Sequence, residues 1–425
     1  MAFYFIIDYF IINYIENTVY LALAFISSFL VHGVLTPYLV ILIRDYGYSH
    51  SALGLLLALC EAMAITSPFV MGFFADRFRQ YRPILLISLF SSLICGAILF
   101  LSRNLVFCAI ILPVLAFSYR AILPLLDAIS TIKLGKEGNY GKYRALGSLT
   151  FFVTVLFLQY TPVFVPDTAS NIAFWVIAAS LVSIVLMFMV PAQYFVSYDS
   201  PVALPAQSAQ SIQNENVSNV RMHGAVQRHS ASYRLWSPLF IMGFSIIFLN
   251  RLAMSPINNF LSLFVVEHLK WNAVGLMWAL SSGSEIIFIF ISKRLLSRFR
   301  ALPLMAFATS VIILRYIIIL LFPTNAGIIV SQLTHSICFG VFHPAAVSFI
   351  TSCVSPAQRA LGMSLYLSLG TGLPTLIGNL AGGFIVEYSG YTTLFVSFSL
   401  FAVLGLGLYL ITRKYTLRLS IENGG

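Results

Sequence analysis

Long apolar runs follow one another along nearly the whole chain, parted by short polar turns. Twelve are long enough to cross a bilayer as helices, at 18–43, 51–74, 82–102, 105–127, 144–160, 170–193, 237–265, 272–292, 301–321, 326–350, 359–386 and 391–411. The criterion is that about 20 residues, rising roughly 1.5 Å each, span the hydrocarbon core. One long interruption breaks the series: residues 194–236 are rich in Ser, Gln, Asn, Ala and Val, and no aromatic residue occurs from Asp199 to Ser232. Such a segment has too little to bury and is expected to be a flexible cytosolic linker. The pattern therefore predicts an all-α membrane protein of twelve transmembrane helices in two pseudo-symmetric six-helix bundles, residues 1–193 and 237–425, the second ending in a short cytosolic tail. Basic turns after the second run of each set, Arg77–Arg82 and Lys293–Arg300, read as an internal duplication.

Composition supports this reading, with 59% hydrophobic and only 9% charged residues, far from the roughly 25% charge of a soluble domain. The net charge of +10 raises the question of a nucleic-acid partner. With both termini placed inside, eighteen Lys and Arg fall in cytosolic segments and three, Arg44, Arg103 and Lys270, in outer loops. That asymmetry is the positive-inside pattern, which accounts for the charge without nucleic acid. The five cysteines lie within or at the ends of apolar runs without metal-ligand spacing, as buried free thiols do. No cleavable signal peptide is expected, because Met1–Asn17 has no basic residue and the first apolar run is too long.

Candidate chemistry lies in the polar residues that interrupt the apolar runs. Arg120, Arg251 and Arg315 are intramembrane cations; Glu61, Asp127 and Glu285 are the carboxylates; His32, His335 and His343 titrate near neutrality in water. Glu61, near mid-depth, has to be protonated, paired or facing water. Arg120 and Asp127, seven residues apart, share a helix face, as do His335 and His343, eight apart. Each such group has a plain structural alternative, that it locks helices together, and for His343 beside Pro344 this is the favoured reading. Pro37 and Pro68 make the first two runs kinkable, and Gly378 and Gly382 form a small-xxx-small step suited to close helix packing.

The turn Gly72-Phe-Phe-Ala-Asp76-Arg77-Phe-Arg79-Gln-Tyr-Arg82 resembles the loop between helices 2 and 3 of the major facilitator superfamily, with Arg79 standing where a second glycine is usual. Further stretches are similar to the branch holding phenylpropionate permease-like proteins, nucleoside/proton symporters and lactose permease: Pro124-Leu-Leu-Asp127, Tyr140-Gly-Lys-Tyr-Arg144-Ala-Leu-Gly-Ser148, Leu276-Met-Trp278 through Glu285, Gln332-Leu-Thr-His335 with Phe339-Gly-Val-Phe-His343, and Gly362 through Gly383. The resemblance implies a major facilitator fold with the substrate site near the midplane between the halves. It places Asp127 and Arg144 as ligands of substrate hydroxyls, Phe151 where lactose permease stacks the sugar on a tryptophan, and Glu285, Arg315 and His335 as its charged proton-linked group. Cys338 occupies the place of that family's proton-carrying glutamate, so the proton site is not copied unchanged. Phe151 argues against a galactoside.

The expected function is secondary active transport by alternating access: proton-coupled uptake of a small organic solute such as an aromatic acid, a nucleoside or a sugar. Glu285, Arg315, His335 and His343 are the proton-coupling candidates, with Asp127 or Glu61 as alternative carriers. Asp127, Arg144, Phe151, Arg120, Glu61, Arg251 and Asn258 are the substrate-binding candidates. Gly72, Asp76, Arg77 and Arg82 form the expected cytoplasmic gate, with Asp76 meeting a basic side chain or the end of the eleventh helix on closure, as the resemblance implies. The alternatives are a drug or metabolite exporter of the same superfamily and a non-transporting receptor. An enzyme is not expected, since no nucleophile with a partnered base, metal spacing or phosphate loop is present. Protons are the expected coupling ion, with no metal or other cofactor. The expected partners are a small-molecule substrate and the lipid bilayer, for a functional monomer in the bacterial inner membrane with both termini cytoplasmic.

Overall fold

The computed structural model describes residues 2–134, 140–195, 237–355 and 358–422, which form helices and turns with no strand among them. The linker expected at 194–236 lies outside the described residues from 196 onward. The first bundle comprises α1 (Ala2–Asp45), α2 (His50–Phe78), α3 (Tyr81–Leu101), α4 (Leu105–Leu134), α5 (Tyr140–Tyr160) and α6 (Ala169–Met189). The second comprises α7 (Pro238–Asn259, prolonged by turns to His268), α8 (Val274–Arg298), α9 (Ala301–Leu321), α10 (325–353), α11 (359–389) and α12 (391–422). The last two meet at Gly390, whose φ of 78° breaks the helical path. Among the described residues nine helical segments are long and apolar enough to cross a membrane. The last of these, Leu361–Arg413, takes in both α11 and α12, while α5 and α8, which carry Arg144 and Glu285, are not among them. Length and composition alone thus count nine crossings against the twelve runs expected.

Local chemistry sets the helix boundaries. Ser49, Thr168, Ser237 and Thr324 each accept the backbone N–H three residues on, capping α2, α6, α7 and α10, and Pro238 supplies the fixed φ favoured at a first helical position. The α2 C-terminus is closed by Arg79 at φ 54°, ψ 27°. This is the left-handed conformation for which glycine is the natural residue. The residue that departs from the family pattern therefore occupies a glycine geometry. α10 contains a π-helical turn over Ser336–Val341 and α11 another over Tyr366–Gly372, features that re-aim side chains within a helix.

Lipid is as apolar as the side chains it touches, so helices within each bundle hold together by close packing and polar bonds rather than by hydrophobic drive. The Ser183 hydroxyl donates to the Ser27 carbonyl at 2.6 Å and joins α6 to α1. Ser91 and Ser118 join α3 to α4 at 2.7 Å. Asn250 donates to Thr309 at 2.8 Å between α7 and α9, and the Tyr316 hydroxyl donates to the Ala253 carbonyl at 2.5 Å. Gly378 and Gly382 lie against Ser255 and Phe260 of α7, the close packing their spacing predicts.

The two bundles meet along two seams, α2 against α11 and α5 against α8. In the first seam Gly54 and Gly383 face each other so tightly that a Cβ added to either would lie 2.7 Å from the other's Cα. Among the described residues, hydrogen bonds and ion pairs join residues 44–57 and 159 of the first bundle to residues 267–276 and 379–391 of the second. All of these lie at one end of the molecule. The basic turns Arg77–Arg82 and Arg294–Arg300 lie at the other.

Candidate functional site

Charge inside the hydrocarbon zone is costly unless it is paired or faces a cavity, and the two bundles meet that cost differently. In the first, Arg120 on α4 lies 3.8 Å from Glu61 on α2, and its Nε donates to the Tyr119 hydroxyl at 2.9 Å. Asp127 accepts the Tyr140 hydroxyl at 2.6 Å. Arg144, one turn beyond Tyr140 on α5, lies over the Phe29 ring at 4.8 Å and within electrostatic reach of Asp127. Arg144 also lies within reach of the Tyr140 hydroxyl, so the tyrosine stands beside both members of the expected Asp127–Arg144 pair, which forms no direct ion pair. His32 sets its Nδ1 3.2 Å from the Ser28 carbonyl and its ring edge-on to Tyr119.

In the second bundle the guanidiniums are held by groups other than carboxylates. Arg315, 1% exposed, donates through Nε to Ser331 at 3.1 Å, places Nη1 3.1 Å from His335 Nδ1, and donates through Nη2 to the Gln332 carbonyl oxygen. The Cys338 thiol lies beside it, so the position where the family has a carboxylate supplies no counter-charge. Arg251, 4% exposed, donates to the Tyr366 hydroxyl at 3.2 Å and lies over the rings of Phe339 and Phe342 at 4.9 and 5.1 Å. Its Nε has no hydrogen-bond partner among the described residues. The same tyrosine hydroxyl stands 2.6 Å from His343 Nδ1. Along α10 the rings of His335, Phe339 and His343 run parallel, with centroids 5.8 and 5.7 Å apart.

Glu285 differs from every other intramembrane carboxylate. Among the described residues it makes no ion pair, and no hydrogen bond satisfies it. It lies within electrostatic reach of Arg144 from the first bundle and Arg251 from the second. Of the expected Glu285, Arg315 and His335 group, the structure thus joins Arg315 to His335 and leaves Glu285 unbonded to them, within electrostatic reach of two other arginines. Phe151 meets Trp278 edge-on across the bundle interface at 6.2 Å. Asn258 lines a small cleft with Trp278, Ser281, Arg315, Gln332 and His335.

At the basic end, Asp76 accepts the Tyr81 hydroxyl at 2.5 Å within its own turn. Among the described residues it meets neither a basic side chain nor α11. Arg82 donates to the Phe188 carbonyl at 3.0 Å and lies over that ring, Arg77 ends the last turn of α2, and no atom outside the helix crowds Gly72.

The closed end carries a cluster that sequence reasoning missed. Glu267 at the end of α7 accepts Arg44 Nε at 2.7 Å and the Tyr391 hydroxyl at 2.7 Å, and its second oxygen lies 2.8 Å from His50 Nε2. Glu387 on α11 accepts the backbone N–H of His50 at 2.6 Å, at the start of α2, where the helix dipole favours an anion. Gln159 on α5 completes the closure, donating to the Asn272 carbonyl at 2.8 Å and accepting Leu276 N–H at 3.1 Å. Positive groups of the first bundle meet carboxylates of the second, and Asp127, Arg144 and Glu285 lie between this latch and the basic end.

Comparison with known proteins agrees with this architecture. The chain is 24% identical over 399 residues to the uncharacterized transporter YwbF of Bacillus subtilis (strain 168), covering 92% of each chain. It is 22% identical over 391 residues to the maltose permease of Geobacillus stearothermophilus, covering 91% of this chain and 92% of that protein. Its fold is similar to the crystal structure of the nucleoside transporter NupG, with TM-score 0.69 and 18% identity over 94% of this chain and 98% of that one. It is similar also to a POT family transporter in complex with a thioalcohol conjugated peptide, with TM-score 0.72 and 13% identity over 95% and 96% of the two chains. The model of the MFS_1 like family matches residues 19–397. With its paired helical bundles, its latch at one end and its charged midplane, the chain belongs to the MFS_1 like family and is a multi-pass membrane transporter of the major facilitator superfamily.

Proposed function

We propose that the protein is a proton-coupled symporter that takes up a small organic solute across the bacterial inner membrane, works as a monomer, and keeps both termini in the cytoplasm. The two bundles, 1–193 and 237–425, rock as rigid bodies about a central site, with 194–236 as a passive tether. The conformation described is latched at the Arg44–Glu267 end, opposite the basic end, which the positive-inside rule places in the cytoplasm. Asp127 and Arg144, with Tyr140 beside both, bind the solute from one side, with Phe151 and Trp278 at the bundle interface.

The observation that carries the coupling is Glu285, an intramembrane carboxylate without a fixed partner that lies within electrostatic reach of arginines from opposite bundles. Rocking changes its distance to Arg144, and with it the balance between a neutral acid in a desolvated site and a carboxylate facing a cation. A small movement then loads or releases a proton. Arg315 and His335, bonded to each other, hold the adjoining wall of the site. The test is uptake of labelled aromatic acids, nucleosides and sugars into proteoliposomes under an imposed pH gradient. Glu285→Gln is expected to lose pH-driven accumulation and to keep solute exchange. Accumulation that survives in this variant moves the proton to another group, Asp127 or Glu61.

A further inference from the structure

The charge inventory between the two ends of the molecule does not balance. Four guanidiniums, Arg120, Arg144, Arg251 and Arg315, stand between the two charged ends of the molecule with three carboxylates, Glu61, Asp127 and Glu285. Glu61 serves Arg120, and Asp127 serves Arg144 with Tyr140 beside both. Arg315 is surrounded by Ser331, Gln332, His335 and the Cys338 thiol, none of them a counter-ion. Arg251 rests on aromatic rings with its Nε unpartnered, and the carboxylate within its electrostatic reach is Glu285. His343 stands 2.6 Å from the Tyr366 hydroxyl and lies within electrostatic reach of Arg251 and Arg144.

With every carboxylate ionised, one positive charge is in excess. Protonating Glu285 makes it two, in a region where an uncompensated charge is expensive. A solute with one negative charge restores the inventory to its value before protonation. We propose that the transported solute is an organic monoanion, whose charged group takes the place of the Glu285 carboxylate opposite Arg251 and Arg144. This rests on the reading of Glu285 as the coupling group. A carboxylate suits the planar donor fork of arginine, which offers two parallel N–H bonds where a neutral amide or hydroxyl offers weaker ones. Proton and anion then enter together or not at all, and one turn of the cycle moves no net charge.

The test is binding to the purified full-length protein, read by thermal shift and by titration calorimetry, using matched acids and amides: propionate and propionamide, benzoate and benzamide, indole-3-acetate and indole-3-acetamide. Acids are expected to bind and their amides not. Glu285→Gln, which imitates the protonated acid and removes the internal competitor, is expected to tighten acid binding by roughly ten- to hundredfold, the strength of a charge-assisted bond. Misfolding cannot produce a gain of this kind. Arg251→Met is expected to abolish binding and Arg251→Lys to restore part of it. Amides that bind as well as their acids overturn the proposal, as does a Glu285→Gln protein that binds none of the acids. The coupling reading fails separately: acid-selective binding with pH-driven accumulation that survives Glu285→Gln removes the proton role and keeps the anion site, and the reverse result removes the anion site alone.

Discussion

Glu267→Ala removes the carboxylate on which Arg44, His50 and Tyr391 converge at 2.7, 2.8 and 2.7 Å. Buried, each hydrogen bond to a charged group would contribute about 1.5–3 kcal/mol. The Glu267 side chain is 26% exposed and that of Arg44 35%, so solvent screening brings each nearer to about 0.5–1 kcal/mol. Tyr391 belongs to the same bundle as Glu267, so the two bonds that cross, from Arg44 and His50, favour the latched conformation by about 1.5 kcal/mol, which corresponds to a shift of roughly tenfold in the equilibrium between latched and unlatched carriers. Glu267 has no role in holding the central residues, so the substitution is expected to change the populations and spare the site. The assay is a spin-label distance measurement between Val163 and Tyr388, both exposed at the latched end, at 56% and 80%. The variant should gain a population of longer distances, and the double exchange Arg44→Glu with Glu267→Arg should reverse it in part. An unchanged distance distribution in Glu267→Ala would refute the assignment of this cluster as a latch.

Two more outcomes follow from the backbone. Arg79 holds φ 54° at the α2 C-cap, a conformation that is costly for a residue with a Cβ, so Arg79→Gly is expected to raise stability by about 0.5–1 kcal/mol, seen as a higher midpoint of thermal unfolding in detergent; a lower midpoint would show that the arginine side chain matters more than its backbone. At Gly383 a Cβ would lie 2.4 Å from the His50 carbonyl oxygen and 2.7 Å from the Gly54 Cα, so Gly383→Leu should prevent the α2–α11 seam from closing, ending uptake while the protein still inserts, and normal uptake by this variant would exclude that seam from the transport cycle.

Much of the architecture was legible in the sequence because the bilayer leaves few options. Without water, backbone polar groups must bond within their own segment, so a long apolar run in lipid becomes a helix. The expected runs accordingly fall mostly within helix, and the residues able to carry charge inside the membrane could be named from their place in those runs. The helix caps at Ser49, Thr168, Ser237 and Thr324 are likewise local chemistry. What depends on partners distant in the chain was not legible. Arg44 looked like a stray outer-loop charge, yet it bonds Glu267, 223 positions away. Asp127 and Arg144 were expected as a pair, and the placement of Tyr140 beside both follows from how α4 and α5 pack. Glu285 was grouped with Arg315 and His335 by resemblance, but the packing of α8 against α5 sets it within electrostatic reach of Arg144 and Arg251 instead. Helix formation is decided within a few residues of chain, whereas the neighbours of a charge in the membrane are chosen by which helix faces meet, and only the tertiary structure settles that.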